Sequence, residues 1–357
     1  MDIATLLRRL TNVPGIPGHE SPVRAVIEEE MGPLVDEMRA DALGNLVGLK
    51  RATRHAADAD SPAPRIMLAA HMDQIGFMVS GHAPGGFLRV VRVGGIDERT
   101  LAGQEVVIHA DGGVLPGVIA TRPPHRLPTD QKGKVVELAD LFVDVGLSET
   151  ETRARIAIGD AITFRRPMVE LQNGRVAGPA MDNRSSVVCL LATLDVLRSY
   201  PHNWDVYAVG TVQEEVGLRG AMTSTFHIMP HVGIAIDVGF GDQPGVPDEQ
   251  TFPLGQGPSI GFGPNIHPRV HDRLMATARE YEIPVHFEPM PGSSGTDAIA
   301  IQVARSGVAT GVISLPTRYM HSPVETLATR DIERAARLLA VFIGQLDDAF
   351  LTSLTDW

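Results

Sequence analysis

Val206-Tyr-Ala-Val-Gly-Thr-Val-Gln-Glu-Glu-Val-Gly-Leu-Arg-Gly220 is the stretch on which the reading of this chain turns. It begins as an apolar run of strand length and ends in adjacent carboxylates, Glu214 and Glu215, followed by Gly217 and Gly220. A buried strand that runs into paired acids is costly unless a metal, a base or a proton compensates the charge. Three other apolar runs end alike. Ile66 to Ala70 delivers His71 and Asp73, Val232 to Ile236 delivers Asp237, and Gly311 to Leu315 leads to His321. In open α/β sheets, ligands bind outside the carboxyl ends of the strands. Four runs ending in acids or histidines predict a site there, and the residue types predict a metal site.

Composition narrows the class. The 357 residues suit two domains, and 43% apolar residues suffice for a large core. A net charge of −12 argues against sequence-independent nucleic-acid binding, which needs a basic face. No run of 18 apolar residues predicts a membrane span, and the N-terminus lacks the order of a signal peptide. The single cysteine, Cys189, excludes an internal disulfide framework and suits a reducing cytoplasm; its apolar neighbours predict a packing role.

Outward from the quoted stretch the texture changes twice. Residues 1–75 and 166–357 alternate helical and strand patterns, which predicts an α/β catalytic domain in two parts. Between them, residues 76–165 carry many short β-like segments divided by glycines, with a hairpin signal at Asp111-Gly112-Gly113. This predicts an inserted small β-barrel domain. Within it, residues 121–133 form a long Pro-rich loop containing His125.

His71, Asp182, Glu215, Asp237 and His321 form a set of imidazole and carboxylate ligands that suits zinc, cobalt or manganese. Five groups exceed the needs of one tetrahedral zinc and suit two divalent metal ions if one carboxylate bridges. Two such ions carry four positive charges, three carboxylates balance three of them, and a hydroxide balances the last. Glu214 is then the general base, because neighbours on an extended backbone point to opposite sides and it can turn toward the water between the ions. Asp73, two residues after His71, is placed to accept that imidazole's other N–H. Asp182, before a helix, can also serve as an N-cap, and Asp297 after Thr296 as a helix cap or a substrate residue. Arg318 and Tyr319, beside His321, are candidates for lining the pocket.

His71-Met-Asp73, Ala180-Met-Asp182-Asn183, Gln213-Glu214-Glu215-Val-Gly217, Asp237-Val-Gly239 and Arg318-Tyr-Met-His321-Ser322 together resemble the tetrahedral (TET) aminopeptidases, metallopeptidase family 42, which include bacterial glutamyl and deblocking aminopeptidases. The resemblance implies a zinc-peptidase-like catalytic domain, with a mixed central sheet flanked by helices, and an inserted barrel. It implies that His71 and Asp237 bind one metal, Glu215 and His321 the other, and that Asp182 bridges, with a cis peptide after it. It further implies aminopeptidase activity on short peptides, pairing of subunits through the barrel, and a tetrahedral dodecamer in which His125 reaches a neighbour's site. Spacing alone leaves open another dinuclear amidohydrolase, such as a carboxypeptidase or N-acyl-amino-acid deacylase. A glycoside hydrolase, a label some relatives have carried, would leave the histidines without purpose.

Overall fold

The computed structural model describes residues 1–54, 62–126, 133–247, 249 and 251–355. The chain opens with helices α1 (Ile3–Thr11) and α2 (Ser21–Met31), then a hairpin of β1 (Glu37–Ala40) and β2 (Leu46–Lys50). The Asp41 carboxylate accepts the backbone N–H groups of Leu43, Gly44 and Asn45, which fixes the hairpin turn where Gly44-Asn45 predicts it. Strand β3 (Arg65–His71) completes this part.

The chain then leaves for the barrel: β4 (Gly76–His82), β5 (Leu88–Val93), β6 (Glu105–Ala110), β7 (Gly113–Ala120), β8 (Phe142–Asp144), helix α3 (Glu149–Arg155) and β9 (Ala161–Phe164). These strands close in the order β4-β5-β8-β7-β6-β9 around Phe77, Leu88, Ile108, Ile119, Val143 and Ile162. Ala110 pairs with Gly113, so Asp111-Gly112 is a two-residue hairpin turn.

The return supplies β10 (Val169–Glu170), β11 (Arg175–Gly178), α4 (Met181–Leu197), β12 (Asp205–Thr211), α5 (Arg219–Ile228), β13 (Val232–Phe240), β14 (Ser259–Phe262), α6 (Pro268–Glu280), β15 (His286–Pro289), α7 (Ala298–Gln302), β16 (Ala309–Thr317), β17 (Glu325–Ala328), α8 (Thr329–Gly344) and α9 (Asp348–Ser353). The central sheet runs β1-β2-β12-β3-β13-β16-β14-β15 and is mixed, with β12, β3, β13 and β16 parallel. Side chains alternate across it. Ile66, Leu68 and Ala70 join the core under α1, α4, α6 and α8, while Met67 and Ala69 face α5 and α7. Both faces are therefore covered, which explains why these strands read as unbroken apolar runs. Helix α4 is buried over nearly its whole length, as its apolar sequence predicts.

Several boundaries differ from expectation. Strand β13 continues past Ile236 to Phe240, so Asp237 lies inside the ladder opposite Ser314 rather than beyond the strand's end. Backbone pairing with β16 carries the strand through the acid. The sequence pattern predicts a helix over 298–306, whereas helix α7 stops at Gln302. The apolar pattern of Lys134-Val-Val-Glu-Leu138 predicts a strand, but these residues lie outside the barrel's ladders, although Val136 and Leu138 pack against its core. In the Pro-rich loop, residues 127–132 lie outside the described residues.

Candidate metal centre

The quoted stretch performs its turn by two local devices. Gln213 takes a left-handed backbone, with φ 57°, two residues past the end of β12. Its N–H is held by the buried Glu20 carboxylate at 3.2 Å. The loop then closes where the Gly220 N–H donates to the Val212 carbonyl at 2.9 Å. Gly220 is required there, since a Cβ would stand 2.3 Å from Asn45 Oδ1 and 2.5 Å from Val212 backbone atoms. Glu214 and Glu215 are thereby turned back over the sheet end.

There they meet the other strand-end residues. His71 Nε2 lies 3.1 Å from Asp182 Oδ1, 3.8 Å from Asp237 Oδ1 and 3.9 Å from Glu214 Oε2. His321 Nε2 lies 3.4 Å from Asp182 Oδ2 and 3.9 Å from Glu215 Oε1. Asp182 thus offers one oxygen to each of two histidines. Ligand atoms of His71, Asp182 and Glu215 all lie within 4.8 Å of one another. The Asp182–Asn183 peptide is cis, and Asp182 makes no capping bond.

Electrostatics match a site built for cations. Burial pushes the Glu214 carboxyl up to about 10 and Glu215 to about 7, with Asp237 adding to the first and Asp182 to the second. Burial likewise holds Asp237 well above its ordinary range. Burial works against the charged form of His71, but Glu214, Asp182, Asp73 and Asp237 outweigh it and hold that imidazole well above its usual value. His321 is held up to about 9 by its hydrogen bond to Asp182. Glu215 Oε1 is buried and has no hydrogen-bond partner among the described residues. This nitrogen-and-oxygen donor set fits a divalent cation, which would satisfy that oxygen and balance the buried acids.

Asp73 does more than the role read for it, and Asp297 differs from one of its two. The Asp73 carboxylate is 3.6 Å from His71 Nδ1, whereas the Asp73 backbone carbonyl is 3.2 Å away. Its carboxylate also accepts the N–H of Glu214 at 3.1 Å and of Glu215 at 3.2 Å. Asp297 does not cap α7; it is buried and accepts the Thr211 hydroxyl at 2.6 Å behind the cluster.

The remaining candidates stand apart. Arg318 donates to Asp242 Oδ1 at 2.6 Å, Tyr319 is exposed, and neither is among the residues lining the pocket. His125 is exposed in a short turn, Pro124–Arg126, of the barrel segment.

Sequence reasoning missed Glu325, which is 1% exposed. It accepts the N–H of Asp182 at 3.0 Å and of His321 at 2.9 Å. It also missed Gly94 and Gly95, which follow β5 and press on the centre. A Cβ at Gly94 would stand 3.0 Å from Glu215 Oε2, and one at Gly95 would stand 2.9 Å from His321 Nδ1. The centre opens into a pocket of about 350 Å³ walled by Phe240, Met290, Met320 and Glu288.

Comparison with known proteins supplies a context for this geometry. Residues 52–338 match the family model of the M42 glutamyl aminopeptidases. A lysyl aminopeptidase of Pyrococcus furiosus is 38% identical over 347 residues, covering 96% of each chain. An aminopeptidase structure from the archaeon Desulfurococcus kamchatkensis superposes with a TM-score of 0.91 at 39% identity, covering 99% of this chain and 98% of that one. The TET1 peptidase of Pyrococcus horikoshii, described as assembling into a tetrahedron or a large octahedral shell, gives a TM-score of 0.84 at 31% identity, over 97% of this chain and all of that one.

Proposed function

The chain belongs to the M42 glutamyl aminopeptidase family, and from that premise we propose that it removes residues from the free N-termini of short peptides at a centre for two divalent cations. The observation that carries this reading is Asp182 with one carboxylate oxygen toward His71 and the other toward His321. A carboxylate so placed would serve both of two ions. His71 and Asp237 would hold one, and Glu215 and His321 the other. Zinc, cobalt or manganese would supply Lewis acidity for a scissile carbonyl and a lowered pKa for a water there.

The chain's own groups do the rest. Glu214 accepts a proton from the attacking water and delivers it to the leaving amine. The Asp73 carboxylate holds the Glu214–Glu215 backbone in place for both roles. Glu325 does the same for Asp182 and His321. A free N-terminal amine separates this activity from carboxypeptidase or deacylase chemistry.

Self-association belongs to the same reading. The P. horikoshii relative assembles into closed shells. Here the barrel carries outward-facing Val91, Val114, Val118 and Val135. We assign it the subunit contact, with dimers building a dodecamer that admits short peptides. No helix among the described residues is long and apolar enough to cross a membrane, and the one cysteine is buried and free. Both suit a cytoplasmic peptidase.

The test is metal and mutation together. Chelation should abolish hydrolysis of an unblocked peptide, and zinc or cobalt should restore it. Glu214→Gln should keep its metal and lose about 10²–10⁴-fold in rate. Equal turnover of N-acetylated and free peptides would refute the aminopeptidase assignment.

A further inference from the structure

Side chains from three distant segments hold the turn that carries Glu214 and Glu215. Past the end of β12, four successive backbone N–H groups find side-chain acceptors. Val212 donates to Asn45 Oδ1 at 3.0 Å, Gln213 to Glu20 Oε1 at 3.2 Å, Glu214 to Asp73 Oδ1 at 3.1 Å and Glu215 to Asp73 Oδ2 at 3.2 Å. Gln213 is the joint, because it alone of the four has a left-handed backbone. A residue other than glycine persists in that conformation only where its surroundings over-determine it. Rotation at Gln213 would swing the carboxylate of the next residue, Glu214.

The residue that holds this joint has no other evident task. Glu20 stands at the N-cap of α2 but makes no capping bond, and it is buried. Its Oε1 also accepts the Gly18 N–H at 2.9 Å, within its own loop. That loop is bolted from behind by Arg184, a fully buried side chain of α4. Arg184 donates to the carbonyls of Leu10 at 2.9 Å and Val13 at 3.3 Å, and to Gln74 Oε1 at 3.2 Å. The Gln74 N–H returns to the Gly15 carbonyl at 3.0 Å. A Cβ on Gly15 would stand 2.8 Å from Arg184 Nη2, so the loop passes directly over the guanidinium. Glu20 therefore reaches Gln213 from a fixed position.

We propose that Glu20 is a positioning residue for Glu214, acting by geometry through the Gln213 N–H. The inference rests on the reading of Glu214 as general base. Segment 12–20, remote in sequence from every proposed ligand, then belongs to the catalytic apparatus. A competing role for Glu20 is to balance the charge of Arg184, which interacts with both Glu20 and Asp73.

Three substitutions separate the two roles, read on the metal-loaded enzyme with an unblocked aminoacyl chromogenic amide. Glu20→Ala should lower kcat by about 10- to 100-fold, the scale of a small misplacement of a reacting group. KM and bound metal, the latter by elemental analysis, should stay near wild type. Glu20→Gln drops the charge but keeps an oxygen at the right reach. Glu20→Asp keeps the charge but shortens the arm by one methylene. Positioning predicts a higher kcat in the Gln variant than in the Asp variant. The reverse order, or equal values, overturns the inference, and this comparison decides alone if the Ala variant does not fold. A second measurement combines substitutions. Groups that act as a unit are non-additive, so adding Glu20→Gln or Glu20→Asp to Glu214→Gln should leave the same residual rate in both double variants. If the Gln and Asp variants differ as much there as in the wild-type background, Glu20 does not act through Glu214 and the inference fails. A wild-type rate in Glu214→Gln alone would strike at the base assignment itself.

Discussion

Glu325 accepts the backbone N–H of Asp182 at 3.0 Å, although 143 residues separate them. With its other oxygen it holds the N–H of His321, whose backbone is left-handed, with φ 61°. One buried carboxylate therefore sets the position of two proposed ligands. Glu325→Gln puts an amide N–H₂ against one of those donors. Outer partners of this kind typically cost 10–100-fold in metal affinity when removed. We expect a loss of about that size in competitive zinc titration, with activity recovered at saturating zinc. Unchanged zinc affinity would remove Glu325 from the account.

Asp73 supplies a second case. If it served mainly to orient His71, Asp73→Asn would chiefly weaken metal binding. The structure also ties its carboxylate to the Glu214 and Glu215 N–H groups. An amide at this position retains only one acceptor oxygen, so the Glu214 backbone loses its anchor. The expected result is a fall in kcat of about tenfold or more, as proton transfer loses alignment, at near-full metal occupancy. Metal loss with an unchanged kcat per bound metal would restore the His71 role.

The sequence disclosed the catalytic α/β alternation, the inserted barrel and the strand-end residues, because each carries a local signature. Apolar runs mark strands buried on both faces, and acids at their ends are conspicuous by cost. What it did not disclose is set by distant contacts. Glu325 lies in a plain Ser-Pro-Val-Glu run, and nothing local marks it as the acceptor for Asp182. Asp73 is placed beside His71 by sequence, but nothing local shows that its carboxylate also anchors the loop after β12, more than a hundred residues away. Arg318 and Tyr319 are candidates by adjacency to His321, but a left-handed backbone at Tyr319 sends the chain round, and Met320 rather than Arg318 or Tyr319 lines the pocket beside His321.

Gly95 joins the barrel to the metal centre. Its backbone is compatible with alanine, so a substitution there reads contact rather than conformational strain. The added Cβ would press on His321 Nδ1 and Cε1, at 2.9 and 3.1 Å. Gly95→Ala should displace the imidazole and lower bound metal toward one equivalent. Gly112→Ala, where nothing lies within 4 Å of the new Cβ, is the control and should bind metal as wild type does. Elemental analysis after dialysis distinguishes them.

The barrel's outer face should decide assembly. Val114 and Val118 lie on the same side of β7, and both are exposed. Apolar surface of this kind on a single subunit marks a contact face. Val118→Glu places a charge in that contact and should shift the protein from a dodecamer toward dimers or monomers. Light scattering reads the mass directly. A wild-type protein that is monomeric at assay concentration would refute the proposed shell, whatever the variant does.

Metal-free protein should lose stability as pH rises. Burial holds Glu215 up to about 7 and Glu214 to about 10, with Asp237 well above its ordinary range. In an unfolded chain such groups ionise near pH ~4. A group whose folded pKa is raised contributes its stability below the unfolded value and loses it as pH rises through the folded one. His321, raised to about 9, acts in the same direction, beginning from its unfolded value near ~6.5. Asp182 is lowered, so its contribution is lost only in acid and is constant near neutrality. Cations bind the ionised ligands, release their protons and offset the penalty. The gap in Tm between zinc-loaded and chelator-treated protein should therefore widen from about pH 5 to about pH 8. Differential scanning calorimetry across that range measures it. A gap that stays constant or narrows would mean that the clustered carboxylates are not charged at the cost their burial implies.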